Sequence, residues 1–471
     1  MMSWDLIEES SKIIAINSVT YESNKEVVQY LAGLLKPLHL DIELQPGKLY
    51  DKEQFNLIAK KRGISDDNAL LFNTHLDTVS PGDYSLWSKT GGNPFRATIV
   101  EDKIYGLGTA DVKLDMLCKI KALEKFRDIE FKHPFILAGT YGEESGLEGA
   151  KSLIQSNKIK PRYAVVGEPS NLSIVYAHKG HLVLESKLKD MDAVVLESAE
   201  FSRIDLVGEP GHSSTPHLGV NAIVKGIDFI KQHKGDLRLV AFEGGELVNV
   251  IPDKATLWFE TDKKIIPTEQ GVHISMEKGK GEKTLFTVDF LNCFIEVMDL
   301  FKRLQSEFKK NPNPEFDPAT SSISLGVIHT KNNEVSVKFG LRTLPSVDTH
   351  ALVESLKRQL DQTLTKFPKI QGTIDVLRES LPMQTQIGST LVTEARKVLR
   401  SLGLQDTIIT KSTSTEASVY NHLGVQTIVW GPGVSVGNVH KPNEFNYIHH
   451  LNHAVRFYEK MIEDFCVKGV R

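Results

Sequence analysis

The stretch Leu71-Phe72-Asn73-Thr74-His75-Leu76-Asp77 decides how this chain is read. An apolar run too short for a helix ends in an imidazole and a carboxylate two residues apart. That pattern predicts a buried strand delivering polar groups at its C-terminal end, where an open α/β sheet builds its sites. The pattern recurs. The apolar segments 69–73, 134–140 and 163–167 are each followed by ionisable residues. These are His75 and Asp77, then Glu143 and Glu144 in Thr140-Tyr-Gly-Glu-Glu-Ser-Gly146, then Glu168 in Gly167-Glu-Pro-Ser170. Between the first two segments, Gly106-Leu-Gly-Thr-Ala-Asp111 reads as a glycine-loosened turn opening a helix over 111–127. A fifth candidate, His440, lies in Gly431-Pro-Gly433 … Asn438-Val-His440-Lys-Pro-Asn-Glu444.

Working outward, residues 4–37 carry helical spacing, and the C-terminal ninety residues resume the α/β pattern. They offer a helix at 387–402, a strand at 425–430 and a helix at 450–465. Residues 180–380 differ. Half-exposed alternating strands at 181–189, 320–328 and 334–341 are mixed with helices at 219–233, 290–309 and 347–366. That predicts an antiparallel sheet with helices on one face. The expected fold class is therefore α/β: a mostly parallel-sheet catalytic domain built from 1–179 and 381–471. An inserted α+β, ferredoxin-like lid or dimerisation domain at 180–380 interrupts it. The Lys- and Gly-rich stretch 263–283 reads as a linker between the halves of that insertion, which has room to repeat its own unit once.

At 471 residues, two or three domains are expected. A net charge of −4 with no basic stripe argues against nucleic acid, and the lack of a polybasic run argues against a membrane surface. The N-terminal segment carries acids where a secretory signal carries a basic and then an apolar region. Cys118, Cys293 and Cys466 are odd in number and far apart, which suits a reducing compartment, so a cytoplasmic location is expected. With no Cys-x-x-Cys pair, any metal must be held by oxygen and nitrogen.

Singly, a histidine after a strand is usually a surface residue, and a Glu-Glu pair usually faces solvent. Two histidines and three carboxylates at the ends of one predicted sheet are less easily dismissed, and they suit zinc. Together these segments resemble the family of acetylornithine deacetylase, succinyl-diaminopimelate desuccinylase, aminoacylase and carboxypeptidase G, in the family's order. The resemblance implies two Zn²⁺ ions, with Co²⁺ or Mn²⁺ as substitutes. His75 and Glu168 would hold one ion, Glu144 and His440 the other, and Asp111 would bridge them. Asp77 would orient the His75 ring through its other nitrogen, and Glu143 would be the general base. Leu107, where the family usually has Arg, and Val112-Lys-Leu-Asp115, where it has Met-Lys-Gly-Gly, are departures that remove no ligand. The peptide after Asp111 is often cis in such proteins.

Within the insertion, Gly208-Glu-Pro-Gly-His212-Ser-Ser-Thr-Pro-His217 resembles the family's lid motif, which implies that His212 stabilises the developing oxyanion. His217 fits a surface helix start equally well. Asn249 and Gly431 are candidate substrate contacts. Arg342, some eighty residues beyond the usual position of the substrate-binding Arg, would clamp a carboxylate. The expected reaction removes an acetyl- or succinyl-type acyl group, or an N-terminal residue, from a carboxylate-bearing amino acid. The substrate is then an N-acyl amino acid or short peptide, and the enzyme a homodimer through the lid. Glu168 and Thr415-Glu416-Ala favour a deacylase, whereas a lid of about two hundred residues favours a dipeptidase. A catalytically dead binding scaffold would have lost a ligand or the base, and all six residues are present. Gly433-Val-Ser435-Val-Gly437 mimics a serine-hydrolase elbow, but the required Asp and then His do not follow. Asn171-Leu-Ser173 matches a glycosylation acceptor that a cytoplasmic chain would not use.

Overall fold

The computed structural model describes residues 4–197, 201–213, 216–263, 272–275 and 283–470. The chain forms two compact units, Met1–His178 with Met383–Arg471, and Lys179–Pro382. In chain order the first unit contributes β1 (Asp41–Leu49), β2 (Lys52–Lys61), β3 (Leu70–His75), β4 (Phe135–Thr140), β5 (Tyr163–Gly167) and β6 (Ile174–His178). The second contributes β7 (Gly180–Asp190), β8 (Ser202–Val207), β9 (Arg238–Gly244), β10 (Lys254–Glu260), β11 (Val272–Ser275), β12 (Ser322–Lys331), β13 (Glu334–Thr343) and β14 (Ile370–Ser380). The chain then returns to the first unit with β15 (Met383–Gln384), β16 (Ile408–Lys411) and β17 (Gln426–Val429).

The first sheet runs β1-β2-β4-β3-β5-β17-β6-β15, with β16 on β6. Its centre, β4-β3-β5-β17, is parallel, and antiparallel strands flank it. Every residue of β3, β4 and β5 is buried, as expected of strands covered on both faces. Alternate side chains serve alternate faces. Leu71, Ile136 and Val166 pack with Leu153 and Tyr420 on one side. On the other, Phe72 meets Phe135 and Tyr458 at ring-centroid distances of 5.1 and 4.9 Å. The sequence did not announce the β1–β2 hairpin. Its turn residues Tyr50 and Asp51 adopt φ of 46° and 62°, a conformation usually signalled by Asn-Gly or Asp-Gly.

The second unit is one antiparallel sheet, β11-β8-β10-β9-β12-β13-β7-β14. Helices Ala222–Gln232, Val288–Phe308 and Thr349–Leu364 start where Asn221, Thr287 and Asp348 cap their first N–H groups. These caps place the starts two to three residues from where the apolar spacing alone put them. The sheet has internal symmetry. β8, helix Ala222–Gln232, β9, β10 and β11 occupy one half, in the spatial order fourth-first-third-second. β7, helix Val288–Phe308, β12, β13, helix Thr349–Leu364 and β14 occupy the other half in the same order, and β9 meets β12 at the join. The linker expected at 263–283 needs correction. Val272–Ser275 within it is the edge strand β11, while 264–271 and 276–282 lie outside the described residues. Among the described residues no helix is long and apolar enough to cross a membrane.

Candidate metal centre

The strand ends bring the first-unit candidates together. Thr74 of β3 pairs with Gly139 of β4 and Gly167 of β5, so the three strands finish nearly level and release their polar residues into one region. His75, 1% exposed, projects Nε2 to 3.2 Å from Asp111 Oδ1 and 3.9 Å from Glu168 Oε1. His440 projects Nε2 to 3.1 Å from Asp111 Oδ2 and 3.2 Å from Glu144 Oε1. Asp111 thus offers one carboxylate oxygen to each imidazole. The Asp111–Val112 peptide is cis.

Asp77 ties two of these segments together. Its carbonyl oxygen accepts from His75 Nδ1 at 3.0 Å, and its Oδ1 lies 3.6 Å from the same nitrogen. Both carboxylate oxygens accept from the turn that carries the Glu pair, from Glu143 N at 3.1 Å and Glu144 N at 3.2 Å. The backbone carbonyl is therefore the nearer partner of the ring, and the carboxylate chiefly caps residues 143–144.

The electrostatics call for a cation. Burial pushes Glu168 up to about 7, against the pull of Lys411 and with help from Asp111. Burial and the Glu168 charge raise Glu143 well above the usual carboxylate range, and burial raises Glu144 despite its hydrogen bond with His440. The imidazoles respond oppositely. Burial works against charge on His440, but Asp111 and Glu144 hold it up at about 11. His75 is held high against burial by Asp111 and Asp77. Asp111 itself stays well below the carboxylate range, because hydrogen bonds from both histidines overrule its burial. Ligand atoms of His75, Asp111 and Glu144 lie within 4.8 Å of one another. Imidazole nitrogen and carboxylate oxygen at that spacing are the donor set divalent zinc-type ions take.

Several contributors carried no assigned role in the sequence. Glu444, four residues after His440, is buried beneath the Asp111 loop. Its Oε1 accepts from Ala110 N at 2.7 Å and Asp111 N at 3.0 Å, and its Oε2 from Gly108 N at 3.3 Å. Glu416 Oε2 accepts from Asn73 of β3 at 2.5 Å and Thr140 of β4 at 2.7 Å. Asp115, one of the departures, forms a fully buried ion pair with Lys119 at 2.7 Å, and Lys119 also donates to the Asn73 carbonyl. Gly167 is required beside it: an added Cβ would stand 1.9 Å from Asp115 Oδ2. Gly431 is likewise a packing glycine, since a Cβ there would meet the Glu168 carbonyl at 2.7 Å. The 433–437 segment is a loop with no helix following, so Ser435 sits on no nucleophile elbow.

The remaining candidates belong to the second unit. Arg342 ends β13 and is 6% exposed. The Asn249 carbonyl accepts from Ser213 N at 3.0 Å, and His212 pairs through its backbone with Val250. The side chains of His212 and His217 lie outside the described residues.

Level strand ends gathering imidazoles and acids around a central aspartate are the mark of a metallohydrolase-type α/β fold. The chain belongs to peptidase family M20/M25/M40, whose model matches residues 71–464. It is 36% identical to acetylornithine deacetylase of Proteus mirabilis over 211 residues, covering 45% of this chain and about half, 48%, of that protein. The Aliivibrio fischeri acetylornithine deacetylase is 25% identical over 466 residues, covering 97% of this chain and 96% of the relative. In fold it is similar to the aminoacylhistidine dipeptidase of Vibrio alginolyticus (TM-score 0.66, 17% identity, 97% and 96% of the two chains). It is also similar to an M20 metallo-carboxypeptidase of Sulfolobus solfataricus (0.62, 18%, 98% and 99%). A dinuclear metal binding peptidase of the same family from Bacillus subtilis shares the fold (0.55, 11%, 97% and 96%).

Proposed function

We propose that this chain is a two-zinc amidohydrolase that releases an acyl group, or an N-terminal residue, from a carboxylate-bearing amino acid. The observation that carries the reading is Asp111, with one oxygen toward His75 and the other toward His440. His75 and Glu168 would hold one ion, Glu144 and His440 the second, with Asp111 between them. When bound, the ions polarise the scissile carbonyl and make water acidic enough to attack near neutral pH. Glu143 takes the proton from that water and returns it to the leaving amine. Its carboxylate already leans toward protonation, and Asp77 fixes its backbone beside Glu144. Asp77 also keeps the His75 ring in register. By the family resemblance His212 and Asn249 would meet the reacting carbonyl, and Arg342 would take the free carboxylate.

The doubled sheet bears on the assembly. His212 and Asn249 lie in one half, Arg342 in the other, and the β9–β12 join makes the halves one sheet of one chain. β12 thereby occupies the β9 edge and leaves it no room to pair with a second copy. A homodimer through the lid would then have to pair elsewhere than at the β9 edge. The doubled lid also keeps a dipeptidase as the second reading. A mass-spectrometric screen of N-acetyl and N-succinyl amino acids against dipeptides, with zinc supplied, tests the proposal. Turnover of one class that disappears in Glu143→Ala is expected, and full activity in that variant would overturn the mechanism.

A further inference from the structure

The helix Ile448–Ile462 opens with a histidine cluster that the Asp111 centre does not use. Each residue turns an α-helix by about 100°, so His449, His450 and His453 share one arc of its surface. The rings are close. The His449 centroid lies 4.6 Å from that of His450 and 6.3 Å from that of His453. His449 and His453 are four residues apart, the spacing at which two imidazoles on one helix face reach a single ion.

Asp102 comes to this cluster from another segment, the turn between strands Thr98–Val100 and Lys103–Tyr105. Its carbonyl accepts from Ile448 N at 2.9 Å, its Oδ1 from His449 N at 3.3 Å, and its Oδ2 from His449 Nδ1. The hydrogen bond from His449 holds Asp102 below the usual carboxylate range, so it is ionised and only accepts. Nδ1 of His449 therefore carries the proton, and the lone pair of the neutral ring is left on Nε2. That is how a carboxylate prepares a histidine to bind metal. Holding the start of the helix needs Asp102 alone and calls for no imidazole one turn further on.

The other two rings are kept neutral, with lone pairs to spare. Burial, with His449 and His453 adding to it, brings His450 down to about 4. Burial, with His449 and Arg456, also lowers His453. His450 is 8% exposed, and its Nδ1 has no hydrogen-bond partner among the described residues. A buried structural histidine would normally have spent that nitrogen. The His449 side chain is 52% exposed, so the arc is open to ions from solvent.

We propose that His449 and His453 form a separate, outer metal site for one Zn²⁺, Cu²⁺ or Ni²⁺ ion, with Asp102 fixing the His449 ring behind it. Side-chain rotation on this open surface brings a nitrogen of each ring to about 2.0–2.1 Å from the ion. Imidazole suits those metals, whereas Mg²⁺ and Ca²⁺ take oxygen. Two protein nitrogens leave the other positions to water, and Arg456 adds a like charge. The ion is therefore held reversibly and more weakly than one in the Asp111 centre, and removal of free metal empties the site. Its place in the fold gives it reach. Lys103–Tyr105 runs on into the Gly106–Asp111 loop, and its partner strand Phe445–Tyr447 directly follows Glu444. An ion on His449 makes Nδ1–H a stronger donor to Asp102 and tightens the joint between those strands. This site goes beyond the function proposed above and does not depend on it.

Calorimetry tests it, with zinc titrated into the untagged full chain after its tightly held ions are in place and free metal has been removed. The wild type should take up one further zinc ion per chain. Asp102→Asn should weaken that step about 10–100-fold, the usual worth of a carboxylate behind a histidine ligand. The His449→Gln/His453→Gln double variant should lose the step altogether. Elemental analysis of both variants after removal of free metal should match wild type, which reports an intact Asp111 centre. No further zinc in the wild type, a further zinc that persists in the double variant, or an Asp102→Asn titration superimposable on wild type would each overturn the outer site. The step is read as a difference between variants, so an unexpected number of tightly held ions would count against the Asp111 centre and leave the outer site standing.

Discussion

At the strand ends of the first unit, Asp111, Glu143, Glu144 and Glu168 crowd around two imidazoles. In the second unit's sheet, Arg342 is buried, and that burial together with the charge of Arg378 brings it down to about 10. Each contains buried groups pushed away from their ordinary protonation, although the His440 side chain is about half exposed. Structural ion pairs do not look like this. Asp115–Lys119, also fully buried, is matched one to one and satisfied by Thr74 and the Asn73 carbonyl. The excess of buried carboxylates in the first unit is what a bound cation would offset, whereas in the second unit Arg342 is the group proposed to take a carboxylate.

The comparison can be broken most sharply at the base. Glu143→Ala should lower kcat by roughly 10²–10⁴-fold, the usual worth of general base catalysis, while metal content stays at the wild-type level. Loss of metal together with activity would move Glu143 into the ligand set. Next is Glu444, which touches no ligand side chain but binds the N–H groups of Ala110 and Asp111. Glu444→Gln should weaken metal affinity about 10–100-fold, read by competition with a chromophoric chelator, because supporting partners of ligands carry that much. An unchanged affinity would reduce Glu444 to a loop anchor. On the cationic side, Arg342→Lys should raise KM about tenfold with kcat little changed, since an ammonium cannot grip a carboxylate bidentately. A fall in kcat alone would place Arg342 in the chemistry instead.

The smallest effect is on stability. Burial, which outweighs His75 and the hydrogen bonds from Thr140 and Asn73, lifts Glu416 from an ordinary 4.5 to about 7. The folded chain then holds a proton that the unfolded chain has released, so this group's contribution falls as pH rises from about 4.5 to 7. Chelator-treated Glu416→Gln should show a flatter melting temperature than wild type between pH 5 and 7.5. Superimposable profiles would contradict that account.

Much of the first unit was legible because its information is local. An apolar run, then His75-Leu-Asp77 or Glu143-Glu144, reports both a strand and what its end delivers. The partners that hold those groups are not local: Glu444 reaches Ala110 across 334 residues, and Glu416 reaches Asn73 across 343. Neither carries a spacing that periodicity could detect. The second unit was legible as a class only. Its alternating strands announced an antiparallel sheet, but the repeated strand order depends on which edges meet, and one half sits inside the other between β7 and helix Val288–Phe308. Likewise Ser322, Arg342, His181 and Ser380 fall opposite one another only once register is set.

The central claim, two ions shared through Asp111, is tested most directly by counting metal. Elemental analysis of zinc-equilibrated protein, after removal of free metal, should give about two ions per chain for wild type. The same measurement should give no more than about one for Asp111→Ala. A wild-type value near zero, or two ions retained without Asp111, would contradict the account.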